Sequence, residues 1–95
     1  MDVGLRYIPV GAPQVITVGG TAVGLAPPTN AIFCVISVET NAVRYRDDGT
    51  APAGQFGILI PVNTIFEYSG NLNAIQFAAQ AGASNINVSY YRLSG

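Results

Sequence analysis

The sequence predicts an all-β fold, an antiparallel β-sandwich of jelly-roll type with eight or nine short strands. Three observations support this fold class. Apolar residues recur with the two-residue period of strands, turn residues separate these segments at regular intervals, and no segment keeps a helical apolar pattern over three turns. Because 95 residues is the length of one domain, we assign residues 1–95 to a single sandwich domain.

The predicted strands lie between clusters of Gly, Pro, Asn, Asp and Ser, which favour turns. They are residues 3–8, 14–18, 21–25, 31–39, 42–46, 57–60, 64–68, 73–79 and 84–93. A long loop rich in Gly, Ala and Pro, residues 49–56, precedes the sixth strand. We expect strand 64–68 to form a hairpin with strand 73–79 across the turn residues 69–71.

Two predicted strands carry information about what they face. Strand 84–93 alternates cleanly, so Tyr90 should be in the core and Tyr91 outside. Strand 31–39 is largely apolar on both faces, for example at Cys34 and Val35. Only one face of a strand in an antiparallel sandwich meets the core, so the other must meet another chain, a loop of this chain or solvent. We favour another chain, with the loop as the main alternative.

The charge content is unusually low. Charged residues make up 9% of the chain, against about a quarter in ordinary soluble domains, and lysine is absent. The net charge of −1 gives no electrostatic reason to expect nucleic acid or an anionic membrane as partner, and no apolar run is long enough to span a bilayer. A chain that is 49% hydrophobic and so poorly charged is expected to self-associate or to be covered by partners. The alternative is a neutral surface of Asn, Thr, Ser and Gln.

The residues that usually carry chemistry are scarce. With no histidine and one cysteine, neither a structural zinc site nor a base for Cys34 is expected, and Cys34 should be a buried apolar residue. The sequence Asp47-Asp48-Gly49 predicts a turn; the alternative is a calcium site formed with Thr50. We therefore expect a protein that is not an enzyme and needs no cofactor or metal.

Arginine and tyrosine residues give the candidate contact surface. Arg44 and Arg46 share one face of their strand and Tyr45 lies on the other. Arg and Tyr are enriched in interface cores, although a cross-strand ion pair with Glu39 or Glu67 would explain the arginines equally well. The full set of candidate interface residues is Arg44, Tyr45, Arg46, Asp48, Pro52, Phe56, Tyr91 and Arg92.

Residues 42–52 read Ala-Val-Arg-Tyr-Arg-Asp-Asp-Gly-Thr-Ala-Pro. This stretch resembles the VRYRDDGTAP-type motif of small β-sandwich proteins encoded among tailed-bacteriophage structural genes, and weaker similarity extends over residues 15–92. The resemblance implies a virion protein, made in the host cytoplasm, and most of all a capsid decoration (cement) protein. Such a protein would form a homo-oligomer, expected to be a trimer, and bind the major capsid protein or another virion protein. The alternative is a tail- or neck-associated module that binds host glycans or another virion protein.

Overall fold

In a computed structural model, which describes residues 6–53 and 56–94, the chain forms nine β-strands, and those residues contain no helix. The strands are β1 (Tyr7–Pro9), β2 (Gln14–Val18), β3 (Val23–Gly24), β4 (Phe33–Glu39), β5 (Val43–Arg46), β6 (Ile58–Ile60), β7 (Thr64–Tyr68), β8 (Gln76–Ala79) and β9 (Ser84–Leu93). None of the described residues therefore belongs to a helix that could cross a membrane.

The strands form two antiparallel sheets. In the first sheet, β1 and β2 both pair with one side of β9, and β4 and β7 follow on its other side. The second sheet has the order β3-β8-β5-β6. Successive strands cross repeatedly between the two sheets, which is the jelly-roll arrangement. The predicted all-β antiparallel sandwich is thus confirmed.

The core lies between the two sheets and follows from the alternation of each strand. Ile36 of β4 and Val88 of β9 point inward from the first sheet, and Val43 and Phe77 meet them from the second; all four are fully buried. Cys34 is also buried, as predicted, and desolvation raises the pKa of its thiol to about 11. A thiol so rarely ionised is a packing residue and not a nucleophile.

Most strand predictions hold, but one pairing prediction is wrong. β2, β7 and β9 have the predicted bounds, whereas part of the first predicted strand, residues 3–5, lies outside the described residues. The predicted hairpin between β7 and β8 does not form, because β7 pairs with β4 and β8 lies in the other sheet. The segment between β7 and β8 crosses from the first sheet to the second, with Leu72 and Ile75 buried in the core. Within this segment the Asn71 carbonyl accepts a hydrogen bond from the Ile75 N–H at 3.3 Å.

Candidate functional site

The motif at residues 42–52 builds β5 and the turn that follows it. β5 alternates, so Val43 and Tyr45 face the core while Arg44 and Arg46 face outward from the second sheet. The Tyr45 ring packs against Phe66, with ring centroids 4.9 Å apart. The predicted separation of the tyrosine from the two arginines is confirmed, and Tyr45 is mainly a core residue that reaches the surface at its edge.

Arg46 closes the turn through Asp48. The Asp48 carboxylate accepts the Arg46 Nε–H at 3.2 Å, the Nη2–H at 2.5 Å and the backbone N–H of Thr50 at 3.1 Å. These bonds lower the pKa of Asp48 and raise that of Arg46, the Arg46–Asp48 hydrogen bond being the largest cause of both shifts. Gly49 has a positive φ of 86°, as the Asp-Asp-Gly turn requires. The turn prediction is therefore confirmed.

Asp47 ties this turn to the other sheet. Its Oδ2 atom accepts a hydrogen bond of 2.8 Å from the hydroxyl of Tyr68, which ends β7. Burial, followed by the bond to Asp47, raises the pKa of Tyr68 to about 12. The two adjacent carboxylates thus serve different partners. In the described part of the chain no three His, Cys, Asp or Glu side chains group as metal ligands.

Arg44 is bonded within its own chain. Its Nε–H donates to the side-chain oxygen of Gln80 at 2.9 Å, and its Nη1–H donates to the carbonyl of Gly57 at 2.9 Å. The alternative of an ion pair with Glu39 or Glu67 is wrong, because both glutamates lie on the first sheet while the arginines lie on the second. Arg44 therefore holds the start of β6 in place.

The loop between β5 and β6 presents an aromatic side chain to solvent. Pro52 is fully buried beneath the loop, so its prediction as an interface residue is wrong: the side chain offers no surface to a partner. The Phe56 N–H donates to the carbonyl of Ala53 at 2.8 Å, and the Phe56 side chain remains 71% exposed. Phe56 thus contributes little to its own fold. Residues 54 and 55 of this loop lie outside the described residues.

An open pocket of about 290 Å³ lies beside the turn. We call it the turn pocket; it is lined by Tyr45, Arg46, Asp47, Asp48, Gly57 and Ile58. Ile58 is 61% exposed, and its neighbour two residues earlier is the exposed Phe56. Arg46 pairs with Asp48, and the Asp47 carboxylate accepts a hydrogen bond from Tyr68, so the pocket offers apolar contact area within a hydrogen-bonded polar rim. Such a surface can accommodate an apolar side chain of a partner.

The candidate residues at the C-terminal end lie elsewhere. Tyr90 is buried and Tyr91 faces outward from the first sheet, as predicted. Tyr91 belongs to an aromatic cluster with Tyr7 and Phe33, in which Tyr7 stacks on Phe33 at 4.5 Å and Phe33 lies 5.8 Å from Tyr91. This cluster covers part of the outer face of β4. Some of the apolar surface on that face is therefore covered by β1 of the same chain.

The predicted contact set therefore divides between opposite faces of the sandwich. Six of its members belong to the turn pocket region of the second sheet: Arg44, Tyr45, Arg46, Asp48, Pro52 and Phe56. Tyr91 and Arg92 lie on the first sheet, and the Arg92 Nη1–H donates to the adjacent Leu93 carbonyl at 3.4 Å. A single flat partner could not contact both groups. Sequence reasoning missed Ile58, because the apolar run 58–60 gave no sign that its strand lies at a sheet edge.

The buried thiol and the Tyr68 hydroxyl predict a loss of stability at alkaline pH. The folded-state pKa values of Cys34 and Tyr68, about 11 and about 12, lie above their ordinary values of 9.0 and 10.0. Their stabilising contribution is complete below the ordinary values and is lost as the pH rises through the folded-state values. Urea unfolding followed by circular dichroism should show the free energy of unfolding falling between about pH 9 and 12.

The variant Tyr68→Phe isolates one of the two groups. Because phenylalanine does not ionise, this variant should start from a lower stability but lose less between about pH 10 and 12 than the wild type. An equal loss in both proteins over that interval would contradict the role of Tyr68.

No protein-family model, curated protein or solved structure matches the chain.

Proposed function

We propose that the chain is a bacteriophage virion structural protein, and within that class a capsid decoration protein that stabilises the head by burying apolar surface against its neighbours. The phage context comes from the similarity of residues 42–52 to a motif of virion-associated proteins. The structural role is supported by one observation above all, the exposed apolar pair Phe56 and Ile58 beside an internally braced turn.

The bracing matters because a binding surface that is already ordered loses less entropy when a partner arrives. Arg46 and Asp48 fix the turn, Pro52 is buried beneath the loop, and Arg44 bonds to Gly57. The surface next to Phe56 is thus held in one arrangement before any contact is made. That is the property expected of a small protein whose purpose is to fit a fixed site on a larger particle.

The available apolar area is consistent with repeated, modest contacts. Full burial of a large apolar side chain stabilises a complex by about 1.5–3 kcal/mol, so Phe56 and Ile58, which are 71% and 61% exposed, offer about 2–4 kcal/mol together before association costs. This is too little for one tight complex. It is appropriate for many copies that each bind a repeated site on a symmetric shell.

Phe56→Ser should weaken binding to the particle by about tenfold while the isolated domain stays folded. The phenylalanine side chain contributes to the partner contact and little to its own core. The measurement uses particles grown without this gene: purified protein is added over a concentration range, particles are sedimented, and bound protein is quantified. Leu93→Ser is the matched control, because Leu93 is 45% exposed on the opposite sheet and its loss should leave occupancy unchanged.

Two outcomes would contradict the proposal. The first is equal occupancy for Phe56→Ser and the wild type. The second is absence of the protein from purified wild-type particles, as judged by quantitative mass spectrometry against the major capsid protein. Either result would remove the decoration role, and the second would also remove the wider virion role.

The aromatic cluster favours a second candidate function, a tail- or neck-associated module that binds host glycans. Tyr7 is 51% exposed, and the cluster with Phe33 and Tyr91 offers aromatic faces and edges on the outside of the first sheet. Sugar rings stack on such surfaces through their apolar faces. Binding of the purified protein to a glycan array would favour this candidate, and an array without signal would leave the decoration role as the better account.

A further inference from the structure

The two outer edges of the first sheet are unusually open to strand pairing. β2 and β7 have five residues each, and in the described part of the chain β2 pairs only with β9 and β7 only with β4. Natural edge strands are commonly protected by prolines, charges or short length. β1 contains Pro9 and β3 has two residues, but β2 and β7 contain no proline and a single charge, Glu67.

The directions of these two strands permit antiparallel pairing between copies. β2 and β4 both run antiparallel to β9, and β7 runs antiparallel to β4. β2 and β7 therefore run in opposite directions at opposite edges of one sheet. If a second copy continued the sheet, its β7 would lie antiparallel beside β2 of the first copy, as the alternating order of the sheet requires.

The register also places the exposed apolar residues together. Val15 is the partner of Asn87, Asn87 of Ser37, and Ser37 of Ile65, so Val15 and Ile65 end the same row of the sheet. Both side chains point away from the core, with 68% and 64% of their surface exposed. A continued sheet without stagger would set Val15 of one copy directly against Ile65 of the next.

The charges permit this register. With Val15 opposite Ile65, the one charged residue of the two strands, Glu67, would lie opposite Pro13. No like charges would meet, and β2 contributes no charge at all. In contrast, if the β7 strands of two copies paired in the register centred on Glu67, the two Glu67 side chains would face each other. Any β7–β7 pairing would also leave the apolar edge of β2 unpaired.

We propose that copies of this chain associate head to tail by strand addition, the β2 edge of one copy pairing with the β7 edge of the next. In this register residues 14–16 of β2 lie opposite residues 64–66 of β7, so one junction pairs three residues of each strand. Such a junction belongs to the small class of interfaces, below about 1,200 Å², and is weak alone. Head-to-tail contacts close into a ring where the rotation allows it, and the last junction is then intramolecular, which strengthens the whole. This inference concerns contacts between copies and does not depend on the proposed binding to a phage particle.

The test uses the two single variants Val15→Lys and Ile65→Lys. Because both side chains are mostly exposed, each variant should keep the wild-type circular dichroism spectrum and unfolding temperature. Light scattering over a dilution series should show a concentration-dependent oligomer for the wild type and a monomer for each variant. Leu59→Lys, a charge at a 44% exposed position of β6, should associate like the wild type.

Mixing the two variants provides the decisive measurement. Val15→Lys keeps an intact β7 edge and Ile65→Lys keeps an intact β2 edge, so an equimolar mixture should form a dimer that neither variant forms alone. The proposal is overturned if the wild type is monomeric at every concentration. It is also overturned if the mixture stays monomeric, or if only Ile65→Lys prevents association, which would indicate a two-fold β7–β7 contact. The Phe56→Ser variant should associate normally, which separates this test from that of the particle-binding role.

Discussion

Phe77→Ala should lower the free energy of unfolding by about 3–5 kcal/mol, the range for truncating a buried phenylalanine. Phe77 is fully buried on β8, a central strand of the second sheet, and its ring lies 6.3 Å from that of Tyr45. A domain of this size has a total stability of only about 5–15 kcal/mol. The substitution should therefore remove at least a fifth of the stability, and nearly all of it in a domain at the lower end of that range.

Urea unfolding of Phe77→Ala and Phe77→Leu, followed by circular dichroism, checks this expectation. Leucine keeps most of the volume, so its loss should stay below about 1.5 kcal/mol. Comparing the two variants separates the free-energy cost of the cavity from the cost of losing the aromatic ring. If the alanine and leucine variants were equally stable, Phe77 would not be the packing centre that its burial indicates.

The same residue links the core to the turn pocket. Tyr45 contacts both Phe77 in the core and the pocket wall at the surface. Loosening the packing around Phe77 should therefore also loosen the turn that follows β5. Any loss of particle binding by Phe77→Ala must be compared with its loss of stability before it is attributed to the contact surface.

Local signals in the sequence were sufficient for much of this fold. The strands β2, β7 and β9 were predicted with their observed bounds because alternation and turn residues are properties of neighbouring positions. The pairing of β7 was not predicted, because Ser69, Gly70 and Asn71 look like a hairpin turn in isolation. Burial of Leu72 and Ile75 between the sheets, which sends the chain across the core, depends on residues far away in sequence.

The candidate site was predictable to the same degree. The Asp-Asp-Gly turn and the outward direction of Arg46 follow from local rules, and both were observed. The division of the contact residues between two faces depends on which sheet each strand joins. Ile58 was missed for a related reason: an apolar run of three residues indicates burial unless the strand is known to lie at a sheet edge.

The three features of the surface belong to different parts of the sandwich. The turn pocket lies on the second sheet, the aromatic cluster on the outer face of the first, and the proposed copy-to-copy contacts use the edges of the first sheet. Asp47 of the turn pocket accepts the hydroxyl of Tyr68 at the end of β7, so a copy added at the β7 edge would lie close to this pocket. Several copies held in fixed geometry would then bind a symmetric partner more tightly than one copy could.

Gly57→Ala should destabilise the protein by about 2–5 kcal/mol, because two separate penalties combine. Gly57 has a φ of 119°, a conformation that residues with a Cβ atom rarely adopt. A Cβ atom there would also lie 2.9 Å from the carbonyl oxygen of Tyr45 and 3.2 Å from the Cβ of Pro52. The Tyr45 carbonyl belongs to the β5 backbone, so relief would require β5 and β6 to separate beside the turn pocket.

Two other glycines provide controls that separate these penalties. Gly49 has a φ of 86° but no atom within 4 Å of its hypothetical Cβ, so Gly49→Ala should lose only about 1–2 kcal/mol from conformational strain. Gly20 has neither feature, and Gly20→Ala should be neutral or slightly stabilising. Denaturant unfolding of the three variants should therefore rank Gly57→Ala as the least stable and Gly20→Ala as the most stable.

The position of Gly57 makes this series informative about function as well as stability. Its carbonyl accepts the Arg44 bond, and Phe56 immediately precedes it. At a temperature where Gly57→Ala is still folded, the misplaced start of β6 should weaken particle binding, whereas Gly49→Ala should bind nearly as well as Gly20→Ala. If Gly57→Ala were no less stable than Gly49→Ala, the close packing of Tyr45, Pro52 and Gly57 would not be what holds Phe56 in position. The preordered contact surface would then lose its physical basis.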